Sequence, residues 1–143
     1  MPTLREDTVR GYLEGTVSAA ELDAEASASL TREPSGNATI VRHQISDMAT
    51  DYTITLPHIV RLVDDIIAAQ IGLPALDAVA FCLEASSRFT WSDDPPDADR
   101  IPEALFWLGT PEVNEPLTPR FLARVRQYLL TGLSPFDSKP PGP

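Results

Sequence analysis

The placement of proline and glycine constrains this chain more than any other feature. Three of its fourteen prolines, Pro57, Pro74 and Pro119, open apolar-periodic segments, and at least four of its seven glycines close them. Proline fits the first helical turn because its missing N–H would be unpaired there anyway, and glycine readily takes the left-handed conformation that ends a helix. Thr118-Pro119 followed by Gly132 is the clearest case, with Leu122, Val125 and Leu129 as the apolar stripe between them. The same logic places a helix from Pro57 to about Gln70, stopped by Gly72, with Ile59, Leu62, Val63 and Ile66 facing inward. Pro74 opens another, to about Ser87. Leu76, Val79, Ala80 and Leu83 form its stripe, and Phe81 and Cys82 widen the apolar surface, as in a helix buried at the centre of a bundle.

Upstream, Thr3 with Glu6 and Ser18 with Glu21 have the spacing of capping boxes. They predict helices from Leu4 to Glu14 and from Ala19 to about Arg32. Gly15 lies between them, and the Glu33-Pro34-Ser35-Gly36-Asn37 turn cluster comes after. So short a connection predicts an antiparallel hairpin. A loop from Ser92 to Asp99 and a short helix from Arg100 to Leu108 complete the pattern.

Residues 38–56 carry two conflicting periods. Val41, Ile45, Met48 and Tyr52 repeat as on a helix, whereas Tyr52, Ile54 and Leu56 alternate as in a strand. A helix to about Asp51 followed by an extended link is the expectation, with a short β segment as the alternative. The predicted fold is all-α: a single domain over residues 1–133 built from five to six short helices, with a disordered Pro-rich tail over 134–143. A shift of 63 residues superposes Thr55 and Arg61 on Thr118 and Arg124, but capped amphipathic helices look alike by necessity.

Length and composition fit one globular domain with its own core: 143 residues, 43% hydrophobic and 22% charged. The N-terminal MPTLREDTVR is charged where a secretory signal needs an apolar run, and no apolar stretch approaches the roughly 20 residues of a membrane helix. A cytoplasmic protein is expected. Net charge is −10, which disfavours nucleic acid as a partner because phosphates are repelled. The charge is uneven. Residues 47–99 hold ten acids against Arg61 and Arg88, and four of those acids, Asp93, Asp94, Asp97 and Asp99, fall within seven residues.

Catalytic motifs are missing from the pattern. His43 and His58 sit in no metal-binding or nucleophilic motif, and the glycines are too dispersed for a phosphate loop. The acidic stretch fails the calcium-loop spacing, since a ligand position falls on Pro95 in one register and on Ile101 in another. Cys82 reads as a core residue, because burial and a nearby carboxylate both disfavour the thiolate. No catalytic residue, cofactor or metal is expected.

What remains is recognition. A carboxylate cluster beside an aromatic residue suits a basic protein partner, with charge speeding encounter and the ring anchoring it. Trp91, Asp93, Asp94, Asp97 and Asp99 are the expected contacts. The predicted function is an inhibitor or immunity-type protein that neutralises a basic bacterial toxin or nuclease. A homo-oligomeric scaffolding subunit associating through residues 57–87 is the alternative, and a small-molecule-binding or enzymatic domain comes third.

Overall fold

A computed structural model describes residues 3–36, 38–111 and 116–136. Among these the chain forms six α-helices and three two-stranded β pairs. The helices are α1 (Glu6–Glu14), α2 (Ala19–Ser29), α3 (Leu56–Ile67), α4 (Leu73–Ala85), α5 (Asp97–Gly109) and α6 (Pro119–Thr131). The strands are β1 (Leu4–Arg5), β2 (Leu30–Ser35), β3 (Ala38–His43), β4 (Ile45–Ser46), β5 (Tyr52–Thr53) and β6 (Phe89–Thr90). The mainly helical class predicted from the sequence is therefore the observed one.

Helix ends follow their local chemistry closely. The Thr118 hydroxyl accepts the Phe121 amide at 3.2 Å, Pro119 occupies the first turn of α6, and Gly132 ends the helix with φ of 82°. Gly15 ends α1 in the same left-handed way, with φ of 91°. Ser18 caps α2 through the Glu21 amide at 3.1 Å. Thr55 and His58 form a reciprocal capping box at α3, with Pro57 in its first turn.

α4 is the hub, as its nearly all-apolar circumference requires. Ala75, Leu76, Ala78, Val79, Ala80, Cys82 and Leu83 are all buried, and the helix packs against α2 on one side and α5 on the other. The Asp23 carboxylate of α2 accepts the Gly72 amide at 2.8 Å, fastening the start of α4 to its neighbour. α3 packs along α6. Asp64 meets Arg126, while Leu56 and Val60 share a groove with Leu129 and Leu130, so the two helices run antiparallel. One core runs from Leu4 to Leu129, and each fully buried leucine or isoleucine in it contributes roughly 1.5–3 kcal/mol.

Besides α3, which ends at Ile67 because Gly72, its expected stop, is instead the N-cap of α4, the chain departs from expectation in four places. α2 stops at Ser29 rather than Arg32, and residues 38–51 are not helical. Leu30–Ser35 and Ala38–His43 instead form an antiparallel hairpin, with Ser35 opposite Ala38 and Gly36 at φ of 61°. β-branched Thr39, Ile40 and Val41 after Gly36-Asn37 carry a hairpin signal that the helical spacing of Val41, Ile45, Met48 and Tyr52 outweighed. Pro34 is tolerated because both strands of a two-stranded ribbon are edges. The β alternative within 38–56 is thus the observed one, extended by two parallel pairs, Leu4 with Ile45 and Tyr52 with Phe89.

Third, Thr3 and Glu6 do not form a capping box. Arg5 is the N-cap of α1, and the buried Glu6 carboxylate accepts the Met48 amide at 3.0 Å, tying the 47–48 segment to α1. Glu25 holds Arg5 from the other side, accepting its amide at 3.0 Å and its guanidinium at 3.1 Å. Fourth, the first residues of the expected tail pack against the core. Pro135 is buried and the Phe136 ring meets Trp107 at 5.3 Å and Phe121 at 5.7 Å. The remainder of that expected tail, 137–143, lies outside the described residues.

Candidate functional site

The five residues expected to contact a partner occupy the turn from β6 into α5. Trp91 directly follows β6 and is half-buried against the core. The Ser92 hydroxyl accepts the Asp94 amide at 3.1 Å, and the Asp94 carbonyl accepts the Ala98 amide at 3.1 Å. This compact turn, which includes a cis Pro95–Pro96 bond, leaves the Asp93 and Asp94 side chains exposed. The predicted loop is shorter than expected, because α5 begins at Asp97 and not at Arg100. Asp97 and Asp99 therefore lie in the first helical turn, where the positive end of the helix dipole favours carboxylates by about 0.3–1 kcal/mol each. Part of the acidic run thus has a local structural reason. Among the described residues no arginine forms an ion pair with any of the four aspartates.

One turn further along α5 the same face continues in acid and ring. Asp99, Glu103 and Phe106 stand at i, i+4 and i+7, which aligns them along one side of the helix. They line a groove of about 650 Å³ together with Ala98, Pro102, Trp107 and Tyr128 of α6. Phe106 is 45% exposed, whereas Trp107 is buried with the Tyr128 ring edge-on to it at 5.0 Å. Burial, reinforced by Glu103, pushes the Tyr128 phenol above its usual pKa, so it stays a neutral donor. Of the five predicted residues only Asp99 lines this groove; Trp91, Asp93, Asp94 and Asp97 do not. Glu103, Phe106 and Tyr128 were not among the expected contacts. The first two were legible from their spacing after Asp99, and the third is supplied by a different helix.

His58, Cys82 and Tyr12 each take part in contacts within the fold. His58 Nδ1 accepts the Thr55 amide at 3.0 Å, so the neutral ring carries its proton on Nε2, which faces Tyr52 Oη at 3.3 Å. Burial, with help from Arg61, holds the His58 pKa below its usual value. Cys82 is buried in α4, and that burial, with Glu6 and Asp47 adding to it, pushes its thiol up to about 12. A thiol of that kind is not a nucleophile near neutrality. Tyr12 donates to Asp65 under the Arg61 guanidinium, which sits 4.5 Å from the ring centre. Arg61 also donates to the Tyr12 carbonyl at 2.7 Å, closing the last turn of α1. Among the described residues no three His, Cys, Asp or Glu side chains converge as metal ligands, and no helix is long and apolar enough to cross a membrane.

Comparison of the chain with protein-family models, with curated proteins and with solved structures finds no match in any of the three. The site must be read from its chemistry alone.

Proposed function

We propose that this is a non-catalytic cytoplasmic protein-binding domain whose acidic turn and α5 groove dock a basic partner. The observation that carries the reading is the pairing of Asp99 and Glu103 with Phe106 and Tyr128 in one groove. Aromatic faces attract cations, and among the described residues neither carboxylate forms an ion pair. An arginine or lysine of a partner answers both. Asp93 and Asp94, exposed on the preceding turn, extend the same negative field and would steer encounter. Enzymes that bind phosphates are basic, so the specific form we favour is an inhibitor or immunity-type protein acting on a toxin or nuclease.

The test is capture from lysate at about 50 mM and about 500 mM salt, repeated with Asp99→Lys and Glu103→Lys together. A basic protein retained at low salt, released at high salt and lost on charge reversal is the expected result. A partner whose retention ignores both salt and reversal would sink the proposal.

Self-association is a second reading. Leu73 and Phe81, two turns apart on α4, are 50% and 45% exposed, and Ile67 nearby is 40% exposed. It predicts a mass that rises with concentration, with little sensitivity to salt, by light scattering.

A further inference from the structure

A second groove, of about 550 Å³, lies on the other side of α5's first turns, between α3 and the end of α6. Its walls are mainly aliphatic: Leu56, Pro57 and Val60 from α3, Pro96 before α5, and Leu129 and Leu130 from α6. Three charged residues complete it, Arg61, Asp64 and Arg100. Pockets of this size with apolar walls and a few placed polar groups are the usual form of small-ligand sites.

The three charged residues differ in how far their charge is already met. Asp64 is bonded to Arg126 at 2.6 Å. Arg61 donates to the Tyr12 carbonyl at 2.7 Å and lies 3.9 Å from Asp65. Arg100 is the exception. Its guanidinium makes one long bond, to the Leu129 carbonyl at 3.4 Å, and among the described residues no carboxylate pairs with it. Asp97 and Glu103 stand three residues to either side on the same helix, yet neither reaches it. Arg100 is held over the end of α6 by Gly132, where a Cβ would fall 2.9 Å from the guanidinium, so a larger residue there would displace it. This half-buried arginine thus answers the carbonyl end of α6 through one long bond, and among the described residues most of its five donors meet no protein acceptor.

We propose that this groove binds a small amphipathic carboxylate, with its apolar part on Leu56, Val60 and Leu130 and its carboxylate on Arg100. The guanidinium fork matches a carboxylate in two parallel bonds, and the starts of α3 and α5 set two positive helix ends at the groove against the one negative end of α6 beside Leu129 and Leu130. This site is separate from the acidic groove and does not depend on the function proposed for it.

The test is titration of the ¹⁵N-labelled protein with decanoate and, separately, with decanol. Decanoate should shift amides within 56–64, 96–100 and 129–130, and should bind more tightly than decanol. Arg100→Gln should weaken decanoate by about tenfold while leaving decanol unchanged, since only the charge-assisted pair is lost. Leu130 is 54% exposed, so Leu130→Gln should fold normally and weaken both probes. Decanoate shifts confined to other regions, or none at all, would overturn the proposal. So would a folded Arg100→Gln that binds decanoate as the parent does, or a Leu130→Gln that binds both probes unchanged.

Discussion

The two grooves beside α5 share a helix and oppose each other in chemistry. On one side Asp99 and Glu103 meet Phe106 and Tyr128, and on the other Arg100 meets Leu56, Val60 and Leu130. Asp99 and Arg100 are consecutive, so the roughly 100° between neighbours on a helix is enough to send their charges to different faces. The walls match the charges. Aromatic rings, with their negative faces, favour a cation beside the carboxylates, whereas the aliphatic wall sets off Arg100, the charged lining residue with no ion pair among the described residues. The lesson is that a net charge of −10 does not describe this surface. Sorting by helix face gives an acidic protein one site suited to cations and one suited to anions.

Both walls rest on the packing of α5, so the largest effect should come from beneath them. Leu105→Ala, at a fully buried position of α5, should cost about 2–5 kcal/mol in urea unfolding and weaken both grooves together. Binding at either groove that survives unchanged in that variant would show that the two do not share α5 as their support.

Charge reversal should separate them. Asp99→Lys with Glu103→Lys should slow association with a basic partner by about tenfold at low salt, read by stopped flow, while decanoate shifts at the other groove persist. Loss of both would mean that the grooves are coupled through the helix.

α6 supplies Tyr128 to one groove and Leu129 and Leu130 to the other. Removing its cap with Thr118→Ala should cost about 1 kcal/mol in chemical denaturation without favouring either side. Asp64→Asn should cost less, at most about 0.5 kcal/mol, because both partners of the Asp64–Arg126 pair are nearly half exposed, and the difference should vanish in high salt.

The smallest effect is a pH dependence. The His58 pKa is lowered in the folded protein, so the unfolded chain takes up this proton first as pH falls. Its contribution to stability is present above the ordinary histidine value of about 6.5 and is lost as pH drops through and below it. Urea midpoints at about pH 8 and about pH 5.5 should differ less in His58→Gln than in the parent. Glutamine retains the capping geometry at that position while removing the titration.

Legibility in the sequence followed the range of the interactions. The starts of α3, α4 and α6 and the end of α6 were readable because Pro57, Pro74, Thr118, Pro119 and Gly132 act on neighbours within a turn, whereas Gly72 was misread as the stop of α3 because it caps α4 instead. The stretch 38–56 was not. Its short strands exist only by pairing Leu4 with Ile45 and Tyr52 with Phe89, partners far away along the chain. Glu6 was misread for the same reason, since its carboxylate serves Met48 rather than its own helix start. The acidic run was plain from composition, and the spacing of Asp99, Glu103 and Phe106 held half of the groove.

The sequence by itself determined a mainly helical chain, the helix starts at Ser18, Pro57, Pro74 and Thr118, the glycine stops of α1 and α6, the central burial of α4 and the concentration of negative charge before α5. These depend on hydrogen bonds and apolar periods that close within a few residues. Only the tertiary structure decided that Tyr128 completes an aromatic wall beside Glu103, and that Arg100 stands over Gly132 with no ion pair among the described residues. Those arrangements depend on where α6 docks against α3 and α5, and docking is settled by the shape of the whole core.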